Sequence, residues 1–333
     1  MRFCVFGAGR MGQRHAANLA EHPGTSVAYV VDPDGPRAAA LAERCGAVAT
    51  ADAARALADP RVDAVIIASA TDTHVDLIIA AARAGKAILC EKPIDLHMDR
   101  VQACADAIAG CNVPIMIGFQ RRFDPTHRAV KQAVQNGEVG AIEVVTIVSR
   151  DPSPPPAAYI AVSGGQFHDQ MIHDFDMALW LTGAAGRVDV FAMASALVDP
   201  QIGALGDSDT AQVLLRFENG SFCRIDCSRR AVYGYDQRVE VFGSKGMVCS
   251  QNLRRTGIER YSATSTAASD VLLPDFMARY LPTYALELDA FVRAVAEGGT
   301  IEADFASGRR ALQLADAARD SSRSRKLVTV DLD

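Results

Sequence analysis

Asp169 and His173 stand four positions apart in the run GGQFHDQMIHDFDM, and Lys92 sits in the tripeptide EKP. A carboxylate, an imidazole and an ammonium are together able to take a proton from a hydroxyl and to steady the charge left on its oxygen. On a helix, positions i and i+4 share a face, so the segment 164–181 predicts an amphipathic helix that turns Asp169 and His173 toward one substrate group. Gln166 and Asp176 extend the same stripe. Two other readings of that helix remain: a histidine satisfied in a core or interface, and a metal set of His168, Asp169 and His173, although His168 points off the stripe. Lys92 taken alone is equally compatible with a solvated side chain on a surface turn, and Pro93 after it is a residue able to adopt the cis form.

The second constellation is GAGRMG at 7–12, which follows an apolar run and opens a helix-like stretch. That is the context a dinucleotide fingerprint requires. Gly7 permits the tight turn, Gly9 lets a pyrophosphate approach the backbone, and Gly12 allows close helix packing, with Arg10 and Met11 between them. Asp32 lies 20 residues beyond Gly12, where an acid accepts hydrogen bonds from an adenosine ribose. With Asp34 close behind and no basic residue before Arg37, a 2'-phosphate finds repulsion, so NAD is expected over NADP. Thr71 and His74, after the third predicted strand, and Glu91 with Lys92, after the fourth, fall on the ligand edge of such a sheet and are candidate cofactor contacts. A helix-capping role for Thr71 or Thr73 is the alternative.

These residues need elements to position them. Apolar runs at 2–6, 26–31, 64–68, 87–90 and 115–119 read as strands, and Ala-rich amphipathic stretches at 11–21, 37–44, 74–84 and 99–109 read as helices between them. That alternation predicts an N-terminal Rossmann domain, a doubly wound parallel sheet, over residues 1–120. After a helix at 125–135 the rhythm changes to longer β-rich runs at 141–149, 188–198, 209–217, 221–229 and 236–249. Helical spacing returns at 285–297 and 305–317, and 326–330 closes as a strand. Residues 121–333 are therefore expected to form an α+β domain with a mostly antiparallel sheet.

Bulk properties narrow the function. The chain has 333 residues, 49% hydrophobic and 22% charged, with a formal net charge of -6. No basic footprint for nucleic acid or for a membrane surface is present, which leaves a small molecule as the partner by elimination. The N-terminal run is too short to span a membrane and reads as a first strand rather than a targeting signal. Eight scattered cysteines without a CxxC pair are expected as reduced thiols of a cytoplasmic protein. Cys223 and Cys227, on one predicted strand, would lie about 13 Å apart, too far to share a metal.

GAGRMG, Asp32, CEKPI, GFQRRFDP, SRDPSPPP, SGGQFHDQMIHDFDM and YGYDQRVEVFGSKG occur in order over nearly the whole chain. Together they resemble the motifs of the glucose-fructose oxidoreductase and inositol 2-dehydrogenase family, in the versions of its inositol-oxidising members. The resemblance implies NAD-dependent oxidation of a ring hydroxyl of an inositol to the keto-inositol, without a metal. It also implies that residues 121–333 are a substrate-binding and oligomerisation domain with an open-faced sheet, C-terminal helices packing back on the first domain, and a homotetramer joined through the open sheets. It implies that Lys92, Asp169 and His173 are the catalytic residues, and that Arg121, Asp151 and one of Tyr233 or Tyr235 contact the substrate. Bland roles for the last group are a surface salt bridge, a loop cap and half-buried strand residues. The chain also departs from the family's usual GGIFRDMTIHDFDM at Gln166, His168, Gln170 and Met171. Because Gln166 would share a face with Asp169 and His173, oxidation of an aldopyranose to a lactone or keto-sugar stays open. So do an NAD-dependent glycosidase and, less easily, a silent NAD-sensing regulator.

Overall fold

The computed structural model describes residues 1–333. The chain divides into two compact units, Met1–Phe123 with Thr283–Arg310, and Asp124–Pro282 with Ala311–Asp333.

The first unit runs β1 (Arg2–Phe6), α1 (Arg10–Glu21), β2 (Ser26–Val31), α2 (Gly35–Cys45), β3 (Val48–Thr50), α3 (Ala53–Ala58), β4 (Ala64–Ile67), α4 (His74–Arg83), β5 (Ala87–Cys90), α5 (Met98–Ile108) and β6 (Ile115–Ile117). Its six strands are all parallel, in the order β3-β2-β1-β4-β5-β6. Every residue of β4 and β5 is buried, which is why these strands read as unbroken apolar runs: helices cover both faces of a parallel sheet. The short β3 and α3 escape the sequence pattern because β3 has three residues, none of them buried, and α3 is almost all Ala and Leu. Chain from the C-terminal third completes this core, with Phe291 fully buried against Phe3, ring centroids 6.2 Å apart.

The second unit contains α6 (Pro125–Gln135), β7 (Ile142–Arg150), α7 (Ala157–Ile160), α8 (Gly165–Asp169), α9 (Ile172–Thr182), β8 (Arg187–Ser195), α10 (Pro200–Ala204), β9 (Thr210–Phe217), β10 (Phe222–Ser228), β11 (Asp236–Gly243), β12 (Gly246–Ser250), β13 (Glu259–Arg260) and β14 (Ala268–Ser269). The long helices α11 (Phe276–Glu297) and α12 (Phe305–Ser324) each belong partly to both units, and β15 (Val328–Asp331) ends the chain. Seven strands form a sheet in the order β12-β11-β7-β10-β9-β8-β15, antiparallel throughout except for β7 and β10, which run parallel. Period-two alternation buries Ala211, Val213, Leu215 and Phe217 of β9 and leaves the residues between them facing out.

Three expectations need correction. The run 236–249 is two strands, because the chain reverses at Ser244-Lys245 and β11 pairs with β12. The helix expected from 285 begins nine residues earlier, at Phe276, since Pro282 lies inside α11 and interrupts the sequence pattern without ending the helix. The segment 164–181 is two helices, not one. Gln170 and Met171 both donate their N–H to the Gln166 carbonyl, at 3.1 and 3.0 Å, and the helix restarts with Asp174 and Phe175 bonding to Met171. A five-residue-wide bond of this kind is a π-type bulge, so Asp169 ends α8 and His173 lies at the start of α9.

Candidate active site

In the first unit the glycines of the β1–α1 turn divide their work. Gly7 has φ +92, a conformation other residues resist, and a Cβ on Gly12 would overlap the Gly7 carbonyl. A Cβ on Gly9, by contrast, would meet nothing within 4 Å, so the backbone there is open to a ligand. Gly9 is also the N-cap of α1, and no side chain caps the helix, so the positive end of the helix faces the glycine turn. Asp32, at the end of β2, accepts from Ala8 N at 2.7 Å and from Asp34 N at 2.8 Å. Its carboxylate therefore shapes the glycine turn as well as offering acceptors to a ribose. These features fit a dinucleotide at the switch between β1 and β4, where the strand order reverses. Arg10 is exposed at the start of α1 and Met11 is half-buried beside it. Arg37 is exposed and paired with Asp34 at 3.2 Å.

Two expected cofactor contacts also brace the cradle. Glu91, directly before Lys92, puts Oε1 2.7 Å from His15 Nε2 on α1. His74 is buried, with Nδ1 2.9 Å from the Pro93 carbonyl and Nε2 3.3 Å from that of Ser69. Burial pushes His74 below its ordinary value, against the pull of the two carbonyls. Held between these two carbonyls, the His74 ring braces the turn that carries Lys92. The Lys92–Pro93 peptide is cis. Thr71 is half-buried in the short helical turn Thr71–Thr73, and Thr73, the N-cap of α4, makes no side-chain capping bond. Arg121 is buried in the turn Gln120–Phe123 after β6.

In the second unit the carboxyl ends of the one parallel strand pair meet. Arg150 of β7 lies opposite Ser228 of β10, so Asp151 and Arg229 leave the sheet side by side, and Asp151 N–H donates to the Ser228 carbonyl at 2.9 Å. Helices α8 and α9 join at this edge. Gln170, in the bulge between them, donates Nε2 to Asp151 Oδ2 at 2.9 Å and to the Ser228 carbonyl at 3.2 Å. Asp169 accepts a hydrogen bond from Tyr159 Oη at 2.9 Å on Oδ1, and its Oδ2 lies 3.6 Å from Arg229. Gly165, with φ +84, lets Asp207 reach the start of α8, where it accepts from Gln166 N at 2.9 Å.

Gln166 is fully buried, so it lies behind the ligand edge: its amide oxygen accepts from Ser208 Oγ at 2.8 Å, and its Nε2 donates to Gln170 Oε1 at 3.4 Å and to Cys227 Sγ at 3.6 Å. His168 bonds Asp316 of α12 at 2.9 Å instead of joining Asp169 and His173 around a metal. Tyr235 is buried edge-on against Tyr280, whereas Tyr233 is half-exposed and donates to Asp236 at 2.7 Å. Sequence reasoning missed Tyr159, Asp207 and Arg229. A signal for Arg229 existed: it continues the odd-numbered series Cys223, Ile225 and Cys227, the buried face of β10.

A glycine cradle at the switch point of a parallel 3-2-1-4-5-6 sheet defines the class as a dinucleotide-binding Rossmann protein. Comparison with known proteins agrees. Residues 1–119 match the oxidoreductase family with an NAD-binding Rossmann fold, and residues 127–249 match the GFO/IDH/MocA C-terminal domain. The chain is 46% identical over 332 residues to inositol 2-dehydrogenase of Rhizobium meliloti strain 1021, covering 99% of each. A crystal structure of a myo-inositol dehydrogenase from Corynebacterium glutamicum superposes with a TM-score of 0.95 at 40% identity, covering 99% of each chain. The scyllo-inositol dehydrogenase of Lactobacillus casei, with bound NAD(H) and scyllo-inositol, gives 0.86 at 26% identity, covering 99% of this chain and 98% of that one. The chain belongs to the GFO/IDH/MocA family of oxidoreductases, and its cofactor is NAD.

Proposed function

We propose that this enzyme oxidises one ring hydroxyl of myo- or scyllo-inositol to the keto-inositol. The observation that carries the reading is Asp169 and His173 flanking the α8–α9 bulge at the carboxyl edge of the parallel pair β7 and β10, in a chain nearly half identical to an inositol 2-dehydrogenase. NAD, seated on Gly9, the start of α1 and Asp32, supplies the hydride acceptor at nicotinamide C4. His173 takes the hydroxyl proton, since imidazole is the side chain suited to proton exchange near neutral pH. Asp169 orients the ring and supports the imidazolium that forms. Lys92 holds the substrate oxygen and stabilises its developing charge, and the ring carbon is left as a carbonyl. Asp151, tethered by Gln170, and Arg121 are the polar groups assigned to the remaining hydroxyls.

NADH absorbance followed over a panel of inositols and aldopyranoses tests this. Best turnover on an inositol is expected. A preference for an aldopyranose moves the substrate to the sugars, and absence of NADH with every free polyol overturns the reading. Lys92→Ala, Asp169→Ala and His173→Ala should each keep NAD binding and lose most of kcat, with losses far from additive, because all three act on one hydroxyl.

A further inference from the structure

Arg229 is among the largest fully buried side chains of the molecule, 1% exposed at the carboxyl end of β10. Burying a guanidinium is costly unless it is paired and hydrogen-bonded. Other arginines in this unit meet that requirement in the usual way: Arg150 grips Asp226 through two nitrogens at 2.6 and 3.1 Å, and Arg279 does the same to Asp124. Arg229 does not. Its terminal nitrogens make no hydrogen bond, and each instead faces a different carboxylate at 3.6 Å, Asp169 on one side and Asp207 on the other.

Those two carboxylates belong to the two ends of α8. Asp207 receives the Gln166 N–H at its first turn, and Asp169 is its last residue. Five residues form too short a helix to hold themselves. One cation between the ends fixes how far Asp169 lies from the bulge that leads to His173. Tyr159 Oη, donating to the other oxygen of Asp169, sets its rotation.

We propose that Arg229 is a positioning residue that clamps α8 and compensates the Asp169 charge, so that the Asp169–His173 pair is aligned before substrate arrives. The proposal rests on the reading of that pair as the proton-handling unit. Arg229 touches neither substrate nor cofactor in this role, so its loss falls on kcat and leaves binding alone.

The test uses full-length enzyme with NAD and either myo- or scyllo-inositol, whichever turns over faster. Arg229→Met should lower kcat about 100-fold while KM and NAD affinity stay within about threefold, and Arg229→Lys, which keeps the charge, should recover kcat to within about tenfold of wild type. Arg229→Met with wild-type kcat overturns the clamp, as does a loss carried equally by KM, or a Lys variant no better than Met. Should Arg229→Met fail to fold, Arg229→Met/Asp207→Asn removes the surplus negative charge. Low kcat in that folded variant upholds the role, and wild-type kcat refutes it. Asp169→Asn separates the two layers. If it keeps wild-type kcat, the dyad itself is misassigned. If it loses kcat while Arg229→Met does not, only the clamp fails.

Discussion

His15 Nε2 lies 2.7 Å from Glu91 Oε1, a contact buried inside the first unit that ties the helix of the cofactor cradle to the residue immediately before Lys92. His15 is fully buried and its Nδ1 makes no hydrogen bond, so the Glu91 carboxylate is the acceptor that justifies an imidazole at this depth. Glu91→Leu should cost about 1–3 kcal/mol in urea unfolding, the range for leaving a buried polar group unsatisfied. Glu91→Gln, which keeps an acceptor, should cost less. Equal stability of the Leu variant and wild type would show the contact to be incidental.

Asp32 carries two tasks, and its removal should show both. Asp32→Ala takes away the acceptor for a ribose and the group that holds Ala8 N in the glycine turn. NAD affinity should fall by about 10- to 100-fold, two hydrogen bonds to a charged group being at stake, while NADP, no longer repelled, should lose less. Calorimetric titration of both cofactors checks this; an unchanged NAD/NADP ratio contradicts it.

Glu287 gives a pH signature of definite sign. It is fully buried on α11, and burial, reinforced by the nearby Glu91 charge, pushes its carboxyl well above the ordinary value. A raised folded value means the native state holds the proton more tightly than the unfolded chain does. The stabilising contribution is complete below the unfolded glutamate range, near pH 4.3, and is lost as pH rises from there through the folded value. Glu287→Gln, neutral at every pH, should match wild type at pH 4 and then gain on it by up to about 1.4 kcal/mol per pH unit. Parallel melting curves for the two proteins from pH 4 to 8 would sink the assignment.

What the sequence made legible follows a physical pattern. The glycine turn, Asp32 and the parallel strands were readable because each demands particular residues: no Cβ at Gly7 and Gly12, an acid at a strand end, unbroken apolar runs under two helical layers. The α8–α9 bulge was not, because its cause is Gln170 reaching across to Asp151 and Ser228, partners 19 and 58 positions away. Asp207 lies 41 positions from the Gln166 N–H it accepts, and no local pattern announces it.

Of the departures from the family motif, Gln170 is expected to bear most on specificity, because it bonds Asp151, and Gln166 reaches that group only through Gln170. Gln170→Met, the family's usual residue, frees Asp151 from its tether, and the ranking among inositol isomers and pyranoses should shift by about tenfold, or ~1.4 kcal/mol. Gln166→Ile, which removes the bond to Ser208 and the longer one to Gln170, should shift that ranking less than Gln170→Met does and register mainly in stability. Steady-state kinetics of both variants on one substrate panel decides between them, and a shift confined to Gln166→Ile reverses the assignment.

The outward face of the seven-stranded sheet bears on assembly. Phe191 pairs with Leu214, Phe242 pairs with Met247, and Phe222 and Phe242 both lie opposite Val144. An apolar stripe therefore runs from β12 to β10 and resumes over β9 and β8, with Arg216 opposite Phe222 and Arg224 opposite Leu214 between the two parts. Met193 and Met247 are 66% and 54% exposed, and Phe191, Leu214, Phe222 and Phe242 are between 38% and 45%. Exposed apolar clusters on a sheet face are unfavourable in water, and a second copy presenting the same stripe is its self-complementary cover. We expect a homodimer or homotetramer joined through this face in sedimentation at micromolar protein. Leu214→Glu, near the middle of the stripe, places a charge on both sides of a two-fold interface and should shift the population to smaller species. The inward residues Val213 and Leu215 are untouched by that change, so the variant should still melt cooperatively. A wild-type protein that sediments as a clean monomer rules the interface out. An oligomer indifferent to Leu214→Glu places the contact elsewhere on the molecule.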